Sequence, residues 1–250
     1  MTSGAVFHRP PTPPDERPLA RLRRVSALSD RRDRLDGARL YLVSGAQPGG
    51  RALAEVLEPA LAGGVDVFQL REKDRSDDDV LDAAEVAREL CSAAGALFIL
   101  NDRPELVTRT GADGAHVGQD DMMIHEAREL AGPHALIGRS THTPGQVDDA
   151  VASGADYLGV GPVHATPTKP GRPAVGLDLV EYAARTAARP WFAIGGIDAD
   201  TIGAVAAAGA GRAAVVRAIT EAADPRAVAA SLRAALEQVP LQPAIGSSHG

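Results

Sequence analysis

Eight short apolar runs alternate with longer helical patterns along this chain, and that alternation limits the fold more than any other feature. The runs fall near Leu40–Val43, Val65–Leu70, Leu97–Leu100, Gly114–Val117, Leu136–Gly138, Tyr157–Val160, Trp191–Ile194 and Ala213–Val216. Each has the length of a strand rather than of a helix. The segments between them carry helical spacing, as in SDDDVLDAAEVARELCSAAG, where Ser76 or Asp77 offers an N-cap. In TGADGAHV, SGADYLGV and AGAGRAAVV a glycine closes a helix just before the next strand. About eight strand–helix units in roughly 210 residues predict a (β/α)8 TIM barrel, an α/β fold of one domain. An open doubly wound sheet is the alternative; it usually has fewer strands and a glycine fingerprint after the first one. The SGAQPGG that follows the first run does not match that GxGxxG fingerprint.

Composition narrows the class further. Hydrophobic residues make up 44% of the 250 residues and aromatic residues only 3%, so the core is built from Val, Leu, Ile and Ala. Such a core suits a parallel sheet buried on both faces. A formal net charge of -7 argues against a nucleic-acid partner. No stretch reaches the ~18 continuous apolar residues of a membrane span, and the N-terminus lacks the apolar core of a signal peptide. The single cysteine, Cys91, has no partner for an internal disulfide, which fits a reducing cytoplasm. Residues 1–36 read as a flexible extension, proline-rich in HRPPTPPDERP and ending in a stretch able to form a capping helix. Residues 37–238 read as the catalytic barrel and 239–250 as a loose tail. A homo-oligomer is compatible with the sequence.

In such a barrel the chemistry sits at the carboxyl ends of the strands, and the unusual polar residues fall there. The second strand exits through Gln69, Arg71 and Lys73, whose period-two spacing puts them on one face. The third gives Asn101 and Asp102, the fourth Gln119, Asp120 and Asp121, the fifth Ser140 and His142. The sixth is followed by Thr166, Thr168 and Lys169, the seventh by Gly195 and Gly196, and the eighth ends at Val216 and Arg217. Arg71, Lys73 and Lys169 are suited to phosphoryl oxygens. Asp102 and Asp121 are hard oxygen donors of the kind that hold magnesium. Paired glycines let backbone N–H groups approach an anion closely. The rim therefore reads as two anion sites: a cation-plus-magnesium site near strands two to six, and an N–H and hydroxyl site near strands six to eight. Each residue also has a plainer reading. Asp102 suits a helix N-cap, Arg71 and Lys73 suit surface ion pairs, and packing or hydrogen bonding explains His116 and His142. The convergence carries the argument.

The stretches FQLREK, ILNDRPELVTRTGADGAHVGQDD, ADYLGVGPVHATPTK, FAIGGI and VVRAI, in this order from about Arg39 to Leu236, resemble the thiamine-phosphate synthase family. The resemblance implies a transferase of thiamine biosynthesis. It would condense 4-amino-2-methyl-5-hydroxymethylpyrimidine diphosphate with 4-methyl-5-(2-hydroxyethyl)thiazole phosphate, by magnesium-assisted dissociative loss of diphosphate. Carried over by motif, Gln69, Arg71, Lys73, Asn101, Ser140 and Lys169 would surround the pyrimidine diphosphate, with Arg71, Lys73, Ser140 and Lys169 the catalytic groups. Asp102 and Asp121 would ligate magnesium. Thr166, Thr168, Gly196, Val216 and Arg217 would surround the thiazole phosphate. Two departures stand out. The chain reads YLVSGAQ where many relatives read YLVTD, which leaves contacts at that exit open, and Arg217 stands where many relatives have Ser. Two other classes share the scaffold: a thiazole tautomerase that needs no magnesium, and a non-catalytic sensor.

Overall fold

The structure, a computed structural model, describes residues 29–73, 75–166 and 173–241. Eight strands lie in chain order: β1 (Leu40–Ser44), β2 (Val67–Leu70), β3 (Leu97–Asn101), β4 (Gly114–Val117), β5 (Leu136–Thr141), β6 (Tyr157–Val160), β7 (Trp191–Ile194) and β8 (Ala213–Val215). Every neighbouring pair is parallel, and β8 returns to β1 to close the barrel. The expected (β/α)8 barrel is the observed fold.

Five strands differ from the sequence expectation: β1 and β3 each run one residue further, to Ser44 and Asn101, and β2, β5 and β8 change as follows. β2 begins at Val67, two residues later than expected; Asp66 just before it bonds Leu40 O and Leu97 N through its backbone, while its carboxylate accepts from the N–H groups of Arg39 and Leu40 and pairs with Arg233. β5 runs on to Thr141 because Ser140 and Thr141 pair with Gly159 and Val160. β8 stops at Val215 because Val216, at φ -122° and ψ -89°, turns the chain into the next helix.

Period two divides the core into two shells. Outward residues such as Leu42, Phe68, Leu100, Val117, Ile137 and Val215 pack under the helices. Inward residues fill the barrel: Tyr41, Val43, Val67, Leu97, Ile99, Leu136, Tyr157, Phe192 and Ala214. A helix described over 29–37 (α1) closes the end where the strands begin, placing Leu35 and Ala38 in that inner cluster. Buried Arg212 secures the following link by donating to the carbonyls of Asp36 and Ala38.

The covering helices are α2 (Leu53–Ala62), α3 (Asp77–Ala94), α4 (Val107–Thr110), α5 (Ile124–Ala131), α6 (Pro144–Ala152), α7 (Gly176–Thr186), α8 (Ile202–Ala207), α9 (Arg217–Thr220) and α10 (Pro225–Glu237). Ser76 caps α3 through its hydroxyl, which accepts from Asp79 N. Gly111, Gly154 and Gly209, expected as helix stops, have φ of 69°, 83° and 101°, a region that favours glycine. Among the described residues no helix is long and apolar enough to cross a membrane.

Candidate active site

The inward alternation that makes the barrel core apolar at one end makes it polar at the other. Val67 is followed on its face by Gln69, Ile99 by Asn101, and Gly138 by Ser140, while His116 follows Gly114. Together they floor a cavity of about 290 Å³ at the carboxyl ends of the strands. Of the residues expected at the site, Gln69, Arg71, Asn101, Ser140, Thr166, Gly196, Val216 and Arg217 line it. Thr168 and Lys169 lie outside the described residues.

Lys73, Asp102 and Asp121 are not on the cavity wall. β2 ends at Leu70, so the period-two spacing that aligned Lys73 with Gln69 and Arg71 no longer applies beyond it. Lys73 is exposed on the rim, close enough to Asp102 to favour its carboxylate form. Asp102 and Asp121 sit side by side on that rim. Burial first, and then the Asp121 carboxylate, pushes the Asp102 carboxyl above the usual carboxylate range. Asn101 Nδ2 donates to Asp102 Oδ2 at 2.6 Å, and Gly118 N donates to Asp121 Oδ2 at 2.7 Å. Asp102 also has a φ of 56°, rare for a non-glycine residue, with its N–H bound to His116 O at 2.9 Å. It caps no helix side chain-first: no cap bond from it to η-turn Pro104–Leu106 is formed, so the plainer N-cap reading does not describe it.

A pair of carboxylates pressed together is the donor set a hard divalent cation relieves. Among the described residues no group of three or more His, Cys, Asp or Glu side chains is placed to hold a metal. An ion on Asp102 and Asp121 would thus complete its shell with water and phosphate oxygens, as magnesium does. A second wall is made by the turn after β7 and the exit of β8. Gly195 and Gly196 have φ of 103° and 62°, and a Cβ on either would lie within 2.7 Å of Pro162 or His164. The β6 loop is therefore packed directly on bare backbone there, beside Val216 and Arg217.

Under the cavity runs a chain of side-chain hydrogen bonds that the sequence reading did not assemble. Gln69 Nε2 donates to Tyr41 OH at 2.7 Å, and the Tyr41 and Tyr157 hydroxyls are 3.0 Å apart. Tyr157 OH lies 3.3 Å from His116 Nδ1, and His116 Nε2 is 2.9 Å from Ser140 Oγ. Burial raises both phenols above their ordinary range, so both keep their protons. Phe192 meets both tyrosine rings edge-on, at centroid distances of 5.1 and 6.0 Å. One signal was available: two of only three tyrosines fall on inward strand positions.

A closed parallel barrel with a polar cavity at the carboxyl ends of its strands places the chain among the (β/α)8 enzymes. The sequence profile of the family described as thiamine monophosphate synthase matches residues 40–219. The chain belongs to that family. It is 53% identical over 205 residues to the thiamine-phosphate synthase of Thermobifida fusca, covering 81% of this chain and 94% of that one. It is 54% identical over 196 residues to that of Gloeobacter violaceus, covering 78% of this chain but 57% of the relative's length. Among solved structures, a thiamine phosphate pyrophosphorylase from Pyrococcus furiosus superposes with a TM-score of 0.74 at 30% identity, over 83% of this chain and 98% of that one.

Proposed function

We propose that the chain joins 4-amino-2-methyl-5-hydroxymethylpyrimidine diphosphate to 4-methyl-5-(2-hydroxyethyl)thiazole phosphate, giving thiamine phosphate and diphosphate. The observation that carries this reading is the pairing of Asp102 with Asp121 on the rim of a cavity lined by Arg71 on one strand exit and by Gly196 and Arg217 on others. One mouth thus offers two places for anions, as a reaction between a diphosphate and a phosphate requires.

The bond to be broken joins the pyrimidine methylene carbon to the diphosphate oxygen. The aminopyrimidine spreads the positive charge left on that carbon, which favours a dissociative path. Arg71 and Lys73, with Lys169 by its place in the sequence motif, take up the charge growing on the leaving diphosphate. A single well-aimed donor of this kind is worth about 3–4 kcal/mol of barrier. Asp102 and Asp121 would hold magnesium, which when bound supplies further neutralisation of the diphosphate. The Gly196 backbone, Thr166 and Arg217 hold the thiazole phosphate so that the ring nitrogen meets the carbon. That nitrogen carries no proton, so no general base is needed, and positioning supplies the rest.

Incubating the full chain with both substrates, with and without magnesium, tests this directly. Diphosphate and thiamine phosphate are expected only when both substrates and magnesium are present. Magnesium-independent isomerisation of a thiazole precursor would assign the tautomerase activity instead, and binding without turnover would assign a sensor.

A further inference from the structure

The buried chain below the cavity has a direction. Gln69 Nε2 has hydrogens and no lone pair to offer, so the Tyr41 oxygen accepts from it. Tyr41 then has its own hydrogen to give, and in the 3.0 Å pair with Tyr157, where either oxygen can be the donor, Tyr157 is the acceptor that this direction requires. Tyr157, having accepted that hydrogen, gives its own to the ring nitrogen it faces, His116 Nδ1. A neutral imidazole with an accepting Nδ1 carries its proton on Nε2, and that N–H points at Ser140 Oγ, 2.9 Å away. Ser140 accepts there, which leaves its own hydrogen for an acceptor in the cavity that it lines.

The surrounding backbone is fitted to this arrangement. Gly138 is paired with His116 on one side and Tyr157 on the other. A Cβ at Gly138 would lie 2.2 Å from Tyr157 Cζ and 2.5 Å from His116 Nδ1, so the missing side chain is what lets the two rings meet. Gly159, paired with Ser140, would bring a Cβ to 3.4 Å from the His116 ring, already in contact.

We infer that Tyr41 and Tyr157 are positioning residues: they fix His116 as the Nε2–H tautomer, which commits Ser140 to donate its hydroxyl hydrogen to the bound pyrimidine substrate. The proton placement follows from the Gln69 amide as oriented in the structure, the one directed link in this chain, and not from the proposed activity. Its consequence for turnover rests on the activity proposed above.

The test is long-range proton–nitrogen correlation NMR on the full chain with nitrogen-15 histidine, at about pH 8, above the ordinary imidazole range. A His116→Asn sample identifies which signals belong to His116. A protonated Nε2 and bare Nδ1 are expected; a protonated Nδ1 or an imidazolium overturns the inference. Tyr157→Phe keeps the ring but cuts the chain. It should turn the single tautomer into a mixture and lower kcat by about ten-fold, the scale of one lost hydrogen bond, with both KM values within about two-fold. A Tyr157→Phe protein that keeps the pure Nε2–H form overturns the inference whatever its kcat. If that variant does not fold, the wild-type spectrum decides alone. An Nε2–H signal in a chain that forms no thiamine phosphate would sink the proposed activity and leave the tautomer assignment standing.

Discussion

The Asp102 carboxyl lies beside that of Asp121 at the exits of β3 and β4, close enough that the Asp121 charge adds to burial in pushing Asp102 above the usual carboxylate range. Two acids in contact suit a cation better than they suit each other, and Asp102 adds a left-handed backbone at φ 56°. Asp102→Asn removes the like-charge contact, keeps an oxygen for the Asn101 amide, and places at that φ a residue that tolerates it. In EDTA the variant is expected to be more stable than the parent by about 0.5–2 kcal/mol. Its magnesium-dependent turnover should fall by about 100-fold or more, as for loss of a key electrostatic group. Denaturant melts and diphosphate release measure the two effects separately; a variant that loses stability in EDTA, or keeps turnover, contradicts the metal assignment.

Arg71 and Arg217 line the same cavity from β2 and from the end of β8, and the two-site reading gives them different substrates. Arg71→Lys keeps the charge but loses the planar fork that meets phosphate oxygens in pairs. It should lower kcat/KM for the pyrimidine diphosphate by about 10- to 100-fold, one to two times the worth of a tenfold step, with little change for the thiazole phosphate. Arg217→Ser should raise KM for the thiazole phosphate and leave the diphosphate side unchanged. Steady-state kinetics with each substrate varied in turn checks both, and an exchange of the two phenotypes would refute the division of the mouth.

The fold was legible because each strand is an apolar burst flanked by helical spacing, and all eight strands fall where those bursts are. Strand edges were less so, since they depend on partners distant in sequence: β5 is extended by pairing with Gly159 and Val160 of β6. The wall residues Gln69, Asn101 and Ser140 could be read because they continue an inward period. Lys73 could not be placed by that rule, because the strand ends three residues before it. The Tyr41–Tyr157–His116 chain was hidden for another reason. In sequence each ring is simply part of an apolar strand, and only closure of the barrel brings β1, β4 and β6 to one interior.

Leu35, 2% exposed, reaches from α1 into the inner cluster beside Tyr41, Val67, Leu97 and Leu136. Leu35→Ala leaves a hole at the closed end of the barrel, where strand backbones are too firmly paired to collapse into it. A loss of about 2–5 kcal/mol is expected, with KM values unchanged because the site is at the other end. Urea unfolding followed by tryptophan fluorescence reads the loss through Trp191; a change within about 0.5 kcal/mol, the range of surface substitutions, would mean that α1 does not plug the barrel.

Cys91 lies on α3, buried at 2% exposure against the outer shell. Burial first, and the Asp113 carboxylate second, pushes its thiol up to about 12. A thiol held neutral in this way does not attack thiol reagents, because the thiolate is the nucleophile. At about pH 8, near the ordinary thiol range, the native chain should label with a thiol reagent only as fast as it opens, and in denaturant at once. The sign of the linkage follows from the same shift. The folded chain holds this proton more tightly than the unfolded chain, so its contribution is intact below the ordinary thiol range and is lost as pH rises through the folded value. Between about pH 9 and 12 the parent should therefore lose stability more steeply than Cys91→Ala, as denaturant titrations across that interval would measure. Rapid labelling of the native chain, or identical slopes for the two proteins, would show that α3 does not seal this side chain away from water.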